Sequence, residues 1–124
     1  MPTTSYRILL VDDHPDSAMF LARLLQHEGH TVRTADCCAG AKELAAEETF
    51  DLVISDIGLP DGTGYELMGE LRSSHGLRGI ALSGRAQPED VDASKRAGFE
   101  EHLIKPVAMP DVTGAIQRLT GNAR

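Results

Sequence analysis

The chain predicts an α/β fold, a parallel β-sheet with helices packed on both of its faces. Three observations carry that expectation. Short apolar runs of β-favouring residues recur along the chain, each breaks off at a polar or charged residue, and each is followed by a segment of helical periodicity. Strands that alternate with helices in this way form a parallel sheet joined by right-handed crossovers. In an open sheet of that kind ligands gather at the carboxyl ends of the strands, so the residues that terminate the runs are where function is sought.

Ile8-Leu9-Leu10-Val11 is uninterrupted apolar sequence, as a central strand covered on both faces requires, and it stops at Asp12-Asp13. His14-Pro15-Asp16 opens the first helix, because proline suits the first helical position and aspartate the positive end of the dipole. Phe20, Leu21, Leu24 and Leu25 form its expected apolar stripe and Gly29 its stop. Residues 31–35 are β-prone but mixed in polarity, the pattern of an edge strand. Residues 37–40 read as a loop. A helix is expected from about Ala41 to Glu48, with Leu44 and Ala45 inward and Glu43, Glu47 and Glu48 outward.

Leu52-Val53-Ile54-Ser55-Asp56 is the strongest strand signal, and Leu59-Pro60-Asp61-Gly62 after it is turn chemistry. Thr63-Gly64-Tyr65-Glu66 matches a Thr-x-x-Glu capping box, opening a helix that carries Leu67, Met68 and Leu71 and fades by His75-Gly76. Residues 79–82 form the fourth strand, ending at Ser83-Gly84. Pro88-Glu89-Asp90 starts a helix closed by Gly98, with only Val91, Ala93 and Ala97 to bury, so weak packing is expected there. His102-Leu103-Ile104 is the fifth strand and ends at Lys105-Pro106. Pro110-Asp111 opens the last helix, whose stripe is Val112, Ala115, Ile116 and Leu119, with Gly121 beyond it.

At 124 residues one domain is expected, over residues 6–120 with short tails at 1–5 and 121–124. The net charge of -7 argues against a nucleic-acid surface, which needs clustered Lys and Arg. No apolar stretch approaches the ~18 residues of a membrane span, and the first residues have no apolar core of a secretory signal. A cytoplasmic protein without membrane contact, a monomer or weak dimer, is the expectation. The adjacent Cys37 and Cys38 rarely suit a disulfide and lack the second pair of a zinc site, so they read as free thiols.

The strand ends bring together Asp12, Asp13, Asp56, Ser83 and Lys105 on one edge of the sheet. A lone Asp at a strand end is more often a turn residue or cap; the coincidence at four ends is what points to a site. Two unit charges about 4 to 5 Å apart repel by roughly 3 to 4 kcal/mol at an effective dielectric of 20, so three crowded carboxylates need a cation. Oxygen donors without clustered His or Cys select a hard ion such as Mg2+, which also neutralises charge in phosphoryl transfer. Lys105 then serves as a point charge and Ser83 as a hydroxyl donor to phosphoryl oxygens, with Asp56 the nucleophile that forms an acyl phosphate.

Leu10-Val11-Asp12-Asp13, Ser55-Asp56 with Leu59-Pro60-Asp61-Gly62-Thr63-Gly64, Leu82-Ser83-Gly84 and Leu103-Ile104-Lys105-Pro106 together resemble the response-regulator receiver family of two-component signalling. The resemblance covers roughly residues 6–120. It implies a flavodoxin-like (βα)5 three-layer sandwich with a five-stranded parallel sheet of order 2-1-3-4-5. It further implies that Asp56 takes a phosphoryl group from a phosphohistidine on a sensor histidine kinase or a histidine phosphotransfer protein. Mg2+ would be held by Asp12, Asp13, Asp56 and the backbone carbonyl of Gly58, with Ser83 and Lys105 on the phosphate and Lys105-Pro106 a cis peptide. The family commonly has Tyr or Phe where this chain has His102, a ring that swings with the Ser or Thr on phosphorylation; Ser83 and His102 are therefore the switch candidates. The fourth and fifth strand ends are similar to receivers appended to hybrid sensor kinases.

Three other readings are open. An aspartyl-phosphate phosphatase or phosphotransferase of the haloacid dehalogenase type would place a second acid two residues after the nucleophile, where this chain has Gly58. A nucleotide or flavin module would need a Gly-rich first turn rather than Asp12-Asp13-His14-Pro15-Asp16. A receiver-like interaction domain that is never phosphorylated would not need the complete acid set.

Overall fold

The structure is a computed structural model and describes residues 5–84 and 88–120. The order of elements is β1 (Arg7–Val11), α1 (Pro15–His27), β2 (Thr31–Ala35), α2 (Cys38–Glu47), β3 (Leu52–Asp56), α3 (Gly64–His75), β4 (Arg78–Ser83), α4 (Pro88–Ala97), β5 (Phe99–Ile104) and α5 (Met109–Thr120). The strands pair in parallel in the order β2-β1-β3-β4-β5, the expected flavodoxin-like topology. Between β3 and α3 a two-residue antiparallel ladder, Gly58–Leu59 with Gly62–Thr63, closes the turn.

Strand alternation divides the core in two. Ile8, Leu10, Ile54 and Leu82 face α1 and α5, where they meet Leu21, Leu25, Val112 and Ile116. Leu9, Val11, Val53 and Ala81 face the opposite way, onto Ala41 and Ala45 of α2 and Leu67 and Leu71 of α3. Every residue of β3 is buried, which is why its sequence is apolar on both faces until Ser55 and Asp56. Each fully buried aliphatic side chain contributes roughly 1.5–3 kcal/mol. The sheet edge that carries the strand ends is thus held from both sides.

Several local expectations need correction. Phe20 is 62% exposed and Leu24 only half-buried, because the inward face of α1 is Ala18, Leu21, Ala22 and Leu25. The second helix begins at Cys38, not near Ala41. Cys37 is its N-cap, with Sγ accepting from the Gly40 N–H, and the Asp61 carboxylate accepts from the N–H groups of Cys38 (2.7 Å) and Ala39 (3.0 Å). Both cysteines are free, but Cys38 is buried in a helix rather than lying in a loop, and burial first and Asp61 second push its thiol up to about 11. Glu48 is half-buried rather than outward, and pairs with Arg7 (2.7 Å) and Arg33 (3.3 Å). The fifth strand starts at Phe99, three residues earlier than expected, across a register shift against β4. The Thr63–Glu66 capping box is complete, the α5 stripe is buried as expected, and Lys105-Pro106 is cis. The tails, apart from Ser5, and the Gly121 stop lie outside the described residues.

Asp61 offers an early test of the capping. Bonds from Ala39 and Cys38 hold its carboxyl below the usual range, so the stabilisation is present above that range and is lost as pH falls through the folded value. Asp61→Ala is therefore expected to lower the thermal midpoint at pH 7, with the gap to wild type narrowing in acid. A gap that stayed constant with pH, followed by circular dichroism, would refute the assignment.

Candidate functional site

The parallel register puts Asp12, just past β1, beside Asp56 at the end of adjacent β3. Both are buried, at 2% and 5% exposure. Lys105 follows β5, and its long side chain crosses the edge to reach both: Nζ lies 2.7 Å from Asp56 Oδ1 and 3.2 Å from Asp12 Oδ2. The Lys105 backbone N–H donates to the Ser83 carbonyl (2.8 Å), which fixes the end of β5 to the end of β4. Ser83, Gly58, Asp56 and Lys105 line one cavity of about 550 Å3, bounded also by Tyr65 and Asp90. A larger groove, about 770 Å3, runs beside β2 past Met19, Val32 and Leu44 and meets this site only at Asp12.

Two carboxyls in contact ionise in turn. The Asp12 carboxyl is held down at about 2: burial pushes the other way but is outweighed by the contact with Asp56, the His14 N–H at 2.9 Å and the charge on Lys105. Asp56 is pushed up to about 7, by burial first and then by Asp12, against the pull of Lys105. Burial opposes the charge on Lys105, yet Asp56 and Asp12 together hold it above its ordinary value. The acceptor candidate thus keeps its proton nearly to neutrality because it is buried with a second negative charge beside it.

Asp13 completes the acid set, and its Oδ1 is buried with no hydrogen-bond partner. Asp12, Asp13, His14 and Asp56 each present one donor atom, all within 4.8 Å of one another. A buried carboxylate oxygen without a hydrogen bond, in an oxygen-rich cluster, fits a hard divalent cation. His14 Nδ1, 3.2 Å from Asp13 Oδ1 and 3.3 Å from Asp12 Oδ1, adds a nitrogen to the rim. From the sequence His14 reads only as a helix opener; its place directly after two acids is the signal that could have drawn it into the site.

His102 is half-buried and uses both ring nitrogens. Nε2 lies 3.3 Å from Ser83 Oγ, and Nδ1 lies 3.0 Å from Ser94 Oγ in the middle of α4. Ser94 escapes a reading of the sequence because a serine in a polar helix looks like a solvent residue, yet it is 1% exposed.

A family model described as the response regulator receiver domain matches residues 8–117. An uncharacterized 14.6 kDa protein from Leptolyngbya boryana is 37% identical over 90% of this chain and 87% of its own length. The virulence sensor protein BvgS of Bordetella pertussis is 32% identical over 87% of this chain, which spans 9% of that much longer relative. Among solved structures, a CheY-like response regulator receiver domain protein from Methanospirillum hungatei JF-1 superposes with a TM-score of 0.87 at 29% identity, covering 96% of both chains.

Proposed function

This chain belongs to the response-regulator receiver family of two-component signalling, and from that premise we propose that Asp56 is its phosphoacceptor. Receiver domains are signalling domains rather than classical enzymes. The observation that carries the reading is the buried Asp56 carboxylate held 2.7 Å from Lys105 beside a second, ionised acid. An oxygen of Asp56 attacks the phosphorus of a phosphohistidine; the O–P bond forms as the N–P bond breaks, and the histidine nitrogen leaves with the electron pair. Lys105 meets a phosphoryl oxygen as a point charge, and Ser83 donates its hydroxyl to another. Asp12, Asp13, Asp56 and the carbonyl of Gly58 would hold Mg2+, which when bound supplies charge neutralisation during the transfer.

Receiver domains interact with histidine kinases or phosphotransfer proteins. We take the donor here to be a sensor histidine kinase or histidine phosphotransfer protein. Support comes from the exposed large apolar residues among those described: Ile104 directly precedes Lys105, and Met19 and Phe20 lie on α1, the helix that follows the acid pair. No described helix is long and apolar enough to cross a membrane. A cytoplasmic domain of residues 6–120, monomeric or weakly dimeric, signalling by conformational change or onward transfer, completes the reading.

Incubation with acetyl phosphate and Mg2+ is expected to add one phosphoryl group by intact mass, and Asp56→Asn to abolish it. Persistence of the added mass in that variant would overturn the assignment.

A further inference from the structure

Asp12 and Asp56 each divide their two carboxylate oxygens between two residues. Lys105 Nζ takes Asp56 Oδ1 (2.7 Å) and Asp12 Oδ2 (3.2 Å). The other two oxygens face His14, whose Nδ1 lies 3.3 Å from Asp12 Oδ1 and 4.0 Å from Asp56 Oδ2. The same nitrogen lies 3.2 Å from Asp13 Oδ1, which is buried without a hydrogen bond. One ring nitrogen thus stands against three acids, and a single N–H proton can serve only one of them. We propose that His14 is a fourth side-chain donor to the divalent ion at this edge, through Nδ1, and that it raises the preference of the site for ions of the Co2+, Ni2+ or Zn2+ type over Mg2+. The inference rests on the reading that Asp12, Asp13 and Asp56 hold a divalent ion; it adds a residue and a selectivity to that reading.

The separations are those of donors that share an ion. Around an octahedral ion with bonds of about 2.1 Å, neighbouring donors stand about 3 Å apart and opposite donors about 4.2 Å. The distances from Nδ1 to Asp13 and Asp12 match neighbours, and the distance to Asp56 matches an opposite pair. The backbone holds the ring in place. His14 precedes Pro15, which keeps it extended (φ −98°, ψ 108°), and its N–H donates to Asp12 Oδ1 at 2.9 Å. The His14 side chain makes no capping bond to α1, so the ring is not needed to start that helix. Carboxylate, carbonyl and water oxygens suit Mg2+, whereas imidazole suits the later divalent transition ions. A site of oxygens alone serves Mg2+ well; the added nitrogen favours only the ions that imidazole ligates.

Calorimetric titration of the full chain with Co2+ and with Mg2+ measures the preference as a ratio of the two affinities. His14→Ala is expected to lower the Co2+ to Mg2+ ratio tenfold or more, since even residues that only support a ligand are commonly worth 10- to 100-fold in affinity. His14→Gln should lower it as well, because an amide oxygen does not replace the imidazole. Asp13→Asn removes a donor common to both ions and should weaken both together, with the ratio changed far less. Proton spectra of the Co2+-loaded wild type should show hyperfine-shifted imidazole signals. The chain has five histidines, so the signals are assigned to His14 by their loss in both His14 variants. An unchanged ratio in both variants, or shifted imidazole signals that persist in them, would overturn the role of His14 and leave the divalent-ion reading standing. Failure of the wild type to bind either ion would overturn that reading, and the role of His14 with it.

Discussion

At pH 8 with a chelator present, Asp56→Asn is expected to resist urea better than the wild-type chain, by on the order of 2 to 4 kcal/mol. Asp56 has an ordinary carboxyl value of 3.8 when unfolded, and burial with the Asp12 charge pushes it to about 7 when folded. Between those values the folded state binds the proton more tightly than the unfolded state, so stability falls as pH rises through the window. Above it the whole cost is present; below it both states are protonated and the cost is gone. Asparagine has the same shape and no charge, so it lacks that dependence. Asp12 titrates in the opposite sense, from 3.8 down to about 2, and its contribution lies below the window. The advantage of the variant should therefore shrink steadily toward pH 4. Mg2+ should reverse the order at pH 8, because a bound cation stabilises the folded state and the wild type has one more carboxylate to hold it. Coincident urea transitions for the two proteins at pH 8 in chelator would refute the electrostatic account.

The fold holds Asp56, the proposed acceptor, at an electrostatic cost. Two buried acids share one edge, one ammonium serves both, and Asp13 Oδ1 is buried without a hydrogen bond, with His14 Nδ1 3.2 Å away. On the proposed reading the arrangement costs stability when empty and regains it when a cation and a phosphoryl group arrive, which would couple ligand state to structure.

The residues that build this edge were legible because each sits where an apolar run stops. Asp12, Asp56 and Lys105 meet within hydrogen-bond distance as the strand pattern alone implies, and Ser83 shares their cavity. The strand order was not legible from pattern and came from the resemblance. What stayed hidden depends on partners far along the chain. The start of α2 at Cys38 is set by Asp61, 23 residues later, so local propensity at Cys37–Cys38 could not reveal it. Phe20 looks like core by composition, but a single helical step carries it past the buried stripe of Ala18, Leu21 and Leu25. Ser94 is buried with its hydroxyl 3.0 Å from the ring of His102, eight residues later and on the next strand.

Gly64→Ala is expected to be the most damaging single methyl in the described chain. Gly64 opens α3 directly behind Asp56, and its N–H donates to the Ile57 carbonyl at 2.6 Å. A Cβ there would collide with the Asp56 carbonyl oxygen and lie 3.1 Å from the Asp56 carbonyl carbon and the Ile57 Cα. All three are backbone atoms, so no rotamer change relieves the overlap; either α3 moves outward or the end of β3 is displaced. A loss of about 2–4 kcal/mol is expected, with acetyl phosphate labelling slowed at least tenfold as Asp56, the proposed acceptor, shifts away from Lys105. Two other glycines supply the controls. Gly58 has open space where a Cβ would stand, and its proposed metal contact is a backbone carbonyl that alanine retains, so Gly58→Ala should label at close to the wild-type rate. Gly69 also has open space and lies inside α3, where alanine is the better helix former, so Gly69→Ala should gain roughly 0.5–1 kcal/mol. Urea unfolding and labelling rates measured on the three variants separate a steric cost at Gly64 from a general intolerance of substitution; equal stability for Gly64→Ala and Gly58→Ala would rule out the close approach of α3 to the Asp56 backbone.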